Sequence, residues 1–256
     1  MIKHLGLKAY GKINLGLDVV RKREDGYHEV RMIMQTVRVY DKIDLVRSEQ
    51  PGIRLETNLY YLPDNENNLG YRAAKLLMDE FGVTEGVEIK MKKFIPVAAG
   101  MAGGSSDAAA VLFGVNKMFS LGLTTEQLME RGVKLGADVP YCIMRGTALS
   151  EGIGEILTPL PPMPQCQILI AKPPISVSTK FVYENLNLPS LSRDAHPNID
   201  KIAKALASRD FYGVADNLGN ILETVTIPAH PVIREIKEKM MELGAVNALM
   251  SGSGPT

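Results

Sequence analysis

The sequence has few residues of the kinds that build disulfide frameworks or zinc sites. Its two cysteines, Cys142 and Cys166, stand alone without a CxxC spacing, and its four histidines are scattered along the chain. Neither a disulfide scaffold nor a zinc centre is therefore expected. Isolated thiols fit a reducing compartment, so the prediction is a cytoplasmic protein.

The chain also lacks a net charge and a long apolar run. Lys and Arg number 29, as do Asp and Glu, so no basic field is available to attract a nucleic-acid backbone. Nowhere do about 18 apolar residues follow one another, which is the length that a membrane-spanning helix needs. Nucleic acid and membrane are therefore not expected as partners.

The order of the elements indicates an α+β fold rather than a doubly wound parallel sheet. Alternating apolar residues predict strands in the first half over 13–19, 29–39, 42–47 and 86–94. Helical spacing predicts helices there over 68–82, 107–119 and 124–136, the last capped by Thr124 or Thr125, and residues 147–160 are typical of a hairpin. The second half is predicted to hold one strand and four helices, over 166–172, 178–186, 198–208, 210–220 and 231–244.

The segment "PLPPMPQ", residues 159–165, indicates a domain boundary. It carries four prolines, which are tolerated neither inside helices nor in central strands. We therefore expect an N-terminal domain over 1–158, built on a mixed or antiparallel sheet with helices. A helix-rich α+β domain is expected over 166–256.

The stretch "FIPVAAGMAGGSSDAAAVLFG", residues 94–114, is the strongest functional signal. Three glycines and two serines stand before an alanine-rich helix, whose first N–H groups and partial positive charge suit a phosphate. The same pattern also fits an ordinary strand-to-helix turn in which Ser105 is the N-cap and Asp107 lies in the first turn. No Lys follows the glycines and no GxGxxG follows the first strand, so neither a P-loop nor a dinucleotide fingerprint is present.

The segment "PVAAGMAGGSSDAA" resembles the second motif of the GHMP kinases, the superfamily of galactokinase, homoserine kinase, mevalonate kinase and phosphomevalonate kinase. "NALMSGSGPT", residues 247–256, is similar to the third motif of that superfamily. Residues 8–37 and 135–149 resemble the N-terminal motif and the catalytic-aspartate segment of one branch, whose acceptor is a cytidine diphosphate-linked methylerythritol of the non-mevalonate isoprenoid route.

The resemblance implies a two-domain GHMP kinase fold whose N-terminal domain is ribosomal S5 domain 2-like. It also implies ATP-dependent phosphoryl transfer to an alcohol. Two other interpretations stay open: a superfamily kinase that acts on homoserine or mevalonate, and a nucleotide-binding module without catalysis.

The resemblance also implies a set of site residues. Lys12 and Asp138 are the catalytic pair, in which the carboxylate accepts the hydroxyl proton and the ammonium stabilises charge on the moving group. By sequence pattern alone, Asp138 also fits an N-cap or turn residue, and Lys12 a solvated strand lysine. The residues implied to contact the acceptor are Asn14, Tyr27, His28, Thr179 and Tyr183.

Tyr27 and Tyr183 are implied to stack on the cytosine and His28 to hydrogen-bond it, although edge packing also accounts for such rings. Asn68 and Lys93 stand where the family holds adenine, and the loop that is implied to surround the ATP phosphates comprises Pro96, Val97, Ala98, Ala99, Gly100, Met101, Ala102, Gly103, Gly104, Ser105 and Ser106.

The implied cofactors are ATP and Mg²⁺, and no protein ligand of the metal is assigned. The expected assembly is a monomer or a weak homodimer. Because the sequence stops at Thr256, inside the third motif, a truncated C-terminal domain is expected.

Overall fold

The computed structural model describes residues 2–256, which form an α+β arrangement. The strands are β1 (His4–Lys22), β2 (His28–Ser48), β3 (Gly52–Thr57), β4 (Gly86–Lys92), β5 (Thr147–Glu151), β6 (Ile156–Pro159) and β7 (Gly219–Asn220). The helices are α1 (Leu69–Glu80), α2 (Gly103–Met118), α3 (Thr125–Val133), α4 (Val139–Met144), α5 (Thr179–Glu184), α6 (Ile199–Ala207), α7 (Phe211–Asp216), α8 (Glu223–Ala229) and α9 (Val232–Glu242).

The chain forms two compact units, and the strands β1 and β2 each contribute residues to both of them. Unit 1 comprises Met1–Gly11, Val37–Val97 and Ala102–Arg145. Unit 2 comprises Lys12–Thr36, Ala98–Met101 and Gly146–Thr256. Both units are therefore assembled from segments that are distant in sequence.

Unit 1 is a sheet covered by helices. In it, β4 pairs antiparallel with the C-terminal part of β2 and parallel with β3. Helices α1 and α2 pack together, and a Cβ built on Gly114 of α2 would lie 2.3 Å from a methyl group of Leu45. Glycine at this position thus lets α2 lie directly on the sheet.

Unit 2 combines short strand pairings with a helical layer. The N-terminal half of β2 pairs antiparallel with β5, β5 and β6 form a hairpin, and β1 pairs parallel with β7. The apolar face of α6 packs on β1 at Gly16, where a Cβ would lie 2.7 Å from Ile199 and Ile202. The core cluster consists of Leu15, Ile33, Ile199, Ile202, Ala205, Leu206 and Val214.

Several sequence predictions are confirmed. The α+β class is correct, helix α1 ends before Gly82 at a φ of +61°, and residues 147–159 form the predicted hairpin. Thr124 is the N-cap of α3, where it forms a reciprocal capping box with Gln127.

Other predictions are wrong. The two strands predicted over 29–39 and 42–47 are one continuous strand, β2. Residues 166–172 do not form a strand, because no backbone ladder pairs with them among residues 2–256. Strand β3 and helices α4 and α8 were not predicted at all.

The compact units do not follow a single cut in the proline-rich segment, since parts of both halves of the sequence meet in unit 2. The domain boundary at 159–165 stays a prediction. Within residues 2–256, no helix has both the length and the apolar composition to cross a bilayer.

Candidate active site

The glycine-rich loop has an unusual backbone at the entrance to α2. Ala98, Gly100 and Ala102 have positive φ angles of 50°, 66° and 54°, whereas the residues between them do not. Backbone in which left-handed residues alternate with right-handed ones is the general pattern of anion-binding concavities, because it turns successive N–H groups toward one side. Two of these positions are alanines, so the conformation carries backbone strain of the kind found at functional sites.

Helix α2 begins at Gly103 and its N-cap is Ala102, without a side-chain capping bond. The alternative in which Ser105 is the N-cap is therefore wrong, because the serine already lies inside the first turn. The first N–H groups of the helix consequently donate no hydrogen bond to a capping side chain, which suits an anionic ligand.

The chain just before Asp138 lies close to this turn within unit 1. The Oγ of Ser106 donates to the carbonyl of Tyr10 at 2.5 Å, and the Oγ of Ser105 lies 3.9 Å from the position of a Cβ built on Gly136. The segment that leads into Asp138 therefore runs along the first turn of α2. Asp138 is the N-cap residue of α4, but its half-buried carboxylate does not cap that helix.

A buried ion cluster lies behind the same turn. The ammonium group of Lys93 bonds to one carboxylate oxygen of Asp41 and to one of Asp107, and all three side chains are almost fully buried. Burial raises the pKa of Asp107 to about 7, with Asp41 adding to the rise and Lys93 opposing it. Asn68 caps α1 by accepting from the N–H of Gly70 at 2.9 Å.

Lys12 and Asn14 lie together in unit 2, as the alternation of β1 predicted. The ammonium of Lys12 donates to Oδ1 of Asn14 at 2.8 Å, and both residues are buried. The backbone N–H of Lys12 donates to the carbonyl of Met101 at 3.1 Å, so β1 borders the glycine-rich loop here. The interpretation of Lys12 as a solvated strand lysine is wrong.

The third motif contacts the second within unit 2. A Cβ on Gly100 would lie 2.0 Å from the carbonyl oxygen of Ser251, whose hydroxyl donates to the carbonyl of Gly100 at 3.1 Å. Asn220 also holds the third motif in place, because its amide donates to the carbonyls of Met250 and Gly252 at 2.8 and 2.7 Å. Two glycine-rich loops are thereby held against each other.

The residues expected to bind the acceptor lie in unit 2. The rings of His28 and Tyr183 are in contact, with centroids 5.0 Å apart, whereas the side chain of Tyr27 is exposed. Burial, followed by the charge of Lys22, lowers the pKa of His28, which favours the neutral imidazole. The hydroxyl of Thr179 bonds to that of Ser253 at 2.8 Å and so ties α5 to the third motif.

The structure thus places Asn68, Lys93, Ser105, Ser106 and Asp138 in unit 1. Unit 2 holds the other group, which comprises Lys12, Asn14, Tyr27, His28, Thr179, Tyr183 and the loop residues 98–101. The pairing of Lys12 with Asp138 stays a prediction. Sequence reasoning missed Asp41 and Asn220, because a single Asp or Asn gives no signal of burial.

Comparison with known proteins defines the class first. The model of the GHMP kinases N terminal domain matches residues 68–146, and that of the GHMP kinases C terminal matches 202–256. The crystal structure of homoserine kinase from Cytophaga hutchinsonii has a TM-score of 0.73 at 18% identity, covering 100% of this chain and 84% of that chain, which shows the fold alone. The chain has the GHMP kinase fold, and membership of this class implies the use of ATP.

Relatives of higher sequence identity then identify the family within this class. The 4-diphosphocytidyl-2-C-methyl-D-erythritol kinase of Lachnoclostridium phytofermentans is 59% identical over 98% of this chain and 86% of its own length. That of Geobacillus kaustophilus is 50% identical with the same coverage. A crystal structure of 4-(cytidine 5'-diphospho)-2C-methyl-D-erythritol kinase has a TM-score of 0.81 at 32% identity, covering 98% of this chain and 88% of that chain. The chain belongs to the 4-diphosphocytidyl-2-C-methyl-D-erythritol kinase family, which confirms the resemblance seen in its motifs.

The raised pKa of Asp107 predicts a pH dependence of stability that Asp107→Asn should remove. The folded chain holds this proton more tightly than the unfolded chain, in which the group titrates near its ordinary pKa of 3.8. Its stabilising contribution is complete below that pH and is lost as the pH rises through about 7. In urea unfolding, the free energy of unfolding of the variant should rise relative to that of the unmodified chain between pH 3.8 and about 7. Above this interval, the two curves of unfolding free energy against pH should run parallel. Curves that are parallel throughout would contradict the assignment.

Gly100→Ala should be more harmful than Gly122→Ala. Both glycines have positive φ angles, 66° and 75°, so each alanine incurs a left-handed strain of about 1–2 kcal/mol. Only at Gly100 does the new methyl group also meet a backbone carbonyl, since no atom lies within 4 Å of a Cβ at Gly122. We expect a larger loss of unfolding free energy and a higher KM for ATP in the Gly100 variant. Equal losses in the two variants would count against the contact.

Proposed function

We propose that this chain transfers the γ-phosphoryl group of ATP to the 2-hydroxyl of 4-diphosphocytidyl-2-C-methyl-D-erythritol, yielding the 2-phosphate and ADP in the non-mevalonate isoprenoid route. The observation that carries the proposal is the run of alternating left-handed residues that ends at the uncapped first turn of α2. In a chain of this kinase family, such a backbone is suited to hold nucleotide phosphates.

The nucleotide would be bound mainly by backbone groups. The N–H groups of residues 98–106 supply the phosphate site, and Pro96 and Val97 shape the chain that enters it. Asn68 and Lys93 are proposed to border the adenine. Their polar side-chain atoms are bonded within unit 1, so in this role they contribute shape and backbone groups rather than side-chain hydrogen bonds.

The chemical step is a direct in-line displacement without a phosphoenzyme. The 2-hydroxyl oxygen of the acceptor attacks the γ-phosphorus, the bond to the bridging oxygen breaks, and ADP leaves. Asp138 accepts the hydroxyl proton, while the ammonium of Lys12 offsets the negative charge on the moving group. The support in the structure is that Asp138 does not serve as a helix cap and that Lys12 is buried, oriented by Asn14.

The acceptor would be recognised by its base and its polyol. Tyr27 and Tyr183 are proposed to stack on the cytosine, and the neutral imidazole of His28 to hydrogen-bond it. Asn14 and Thr179 would bind hydroxyl or phosphate oxygens of the acceptor. The contact between His28 and Tyr183, together with the exposure of Tyr27, supports this assignment.

Mg²⁺ would neutralise charge on the phosphates. The described residues contain no group of three or more His, Cys, Asp or Glu side chains placed to hold a metal ion. Such an ion would therefore be held through phosphate oxygens and water, as is usual for Mg²⁺ in kinases. No step above is assigned to it.

We also propose that the enzyme works in the cytoplasm as a monomer or a weak homodimer. The support for the location is compositional, since its two thiols are isolated and fit a reducing compartment.

Asp138→Asn tests the catalytic assignment. Because the amide cannot accept the proton, kcat should fall by about 10²–10⁴-fold while the KM for ATP changes little. Asp210→Asn serves as the matched control, as Asp210 is the N-cap of α7 and caps it with its side chain. ADP release with and without acceptor provides the measurement. Normal turnover in a folded Asp138 variant would remove the general-base role.

Tyr27→Ala tests the recognition of the base. Loss of one stacking partner should raise the KM for the acceptor about tenfold, since stacking contributes about 1–3 kcal/mol per base. The KM for ATP should not change. Tyr27→Phe keeps the aromatic ring, so its acceptor KM should equal that of the unmodified chain. Tyr212→Ala removes another exposed tyrosine of unit 2 and should alter neither constant. An unchanged acceptor KM in Tyr27→Ala would instead fit a kinase for a homoserine- or mevalonate-like acceptor.

A further inference from the structure

We propose that Asp41, Lys93 and Asp107 form a buried clamp that positions the first turn of α2 for nucleotide phosphates, with Asp41 as its anchor. The inference rests on the proposed function, because it concerns how that phosphate site is held in shape. Asp41 and Asp107 would then be positioning residues, which never touch the nucleotide themselves.

Asp41 organises the backbone that enters the glycine-rich loop. Its carboxylate is fully buried, and Oδ1 accepts from the N–H groups of Phe94 and Ile95 at 2.5 and 2.8 Å. Its Oδ2 accepts from the ammonium of Lys93. One side chain of β2 therefore fixes three successive residues at the point where β4 gives way to the loop.

Lys93 carries this constraint to the helix. Asn58 holds its backbone, accepting from its N–H at 2.7 Å and donating to its carbonyl at 3.3 Å. Its ammonium bonds to Asp107, the fifth residue of α2. A Cβ on Gly103 would lie 3.6 Å from that ammonium and 3.1 Å from Ile95, so the first residue of α2 packs directly on the clamp.

The cluster is better suited to fix geometry than to add stability. It buries two carboxylates with one ammonium, and the cost of desolvating such groups offsets much of their attraction. Moreover, Oδ1 of Asp107 is buried and accepts no hydrogen bond from any described residue. What the cluster does provide is a set of directed bonds from β2 and the end of β4 to the first turns of α2.

The consequence concerns nucleotide binding. A phosphate site made of backbone N–H groups is effective only if those groups are oriented before the ligand arrives. Loosening the clamp should therefore weaken nucleotide binding and leave binding of the acceptor unchanged. A purely structural role would lower stability without separating the two ligands.

The experiment uses calorimetric titration of the whole chain with ADP and with a non-hydrolysable ATP analogue, and in a separate titration with the acceptor, whose Kd should not change in any variant. Asp41→Asn and Asp107→Ala should each raise the Kd of both nucleotides about tenfold or more. Asp107→Asn should recover most of the affinity, because its amide oxygen can still accept from Lys93. Hydrogen exchange should be faster at the amides of residues 102–106 in the two weakened variants only.

Glu85→Gln is the matched control. Glu85 pairs with Arg47 at the opposite end of β4, also in unit 1, so this variant breaks an ion pair away from the loop. Its nucleotide Kd and its exchange at residues 102–106 should equal those of the unmodified chain.

The outcomes separate the two proposals. If the unmodified chain bound neither nucleotide, the proposed function would fail and the clamp with it. If it bound both, and the folded Asp41→Asn and Asp107→Ala variants bound them equally well, only the clamp would be overturned. Should Asp41→Asn not fold, Asp107→Ala decides alone, since removing a buried carboxylate from α2 leaves a good helix former in its place.

Discussion

Backbone N–H groups carry only partial charges, so a phosphate site built from them depends on holding several in one orientation at once. In the loop proposed to bind phosphate, the backbone is left-handed at Ala98, Gly100 and Ala102, a conformation that alanine rarely adopts. The surrounding contacts must therefore over-determine the loop. In unit 2 the carbonyl of Ser251 lies against Gly100, and in unit 1 the side chain of Lys93 lies against Gly103. The remaining functional residues matter only if this backbone is in place.

The sequence pattern was sufficient to predict an element wherever that element depends only on residues close to it in the chain. The capping box of Thr124 and Gln127, the glycine that follows α1, and the hairpin of β5 and β6 were readable because each signal lies within a few residues of its effect. Strand prediction failed where pairing decides the outcome. Residues 166–172 have a strand-like composition, yet composition cannot supply a neighbouring strand to bond with.

The candidate site shows the same division. The glycine-rich loop and the segments around Lys12 and Asp138 were recognisable because they lie in long, specific motifs. The residues that support these segments were not recognisable in the sequence. Asp41 acts on Lys93, 52 positions away, and Asn220 on Gly252, 32 positions away, so neither has a neighbour in sequence that reveals its partner. Likewise, nothing in the run of small residues indicated that Ala102, rather than Ser105, ends the loop.

Lys93 illustrates why a motif can locate a residue without giving its role. Its position beside the loop fits a nucleotide-binding lysine, and a lysine at such a site is ordinarily expected to bind phosphate with its ammonium. Here the ammonium is directed inward to two carboxylates, one of which binds the N–H groups of Phe94 and Ile95. In the proposed site, the attraction for the anion would come from the N–H groups at the positive end of α2. The charge of Lys93 is thus used to hold the backbone of the proposed phosphate site.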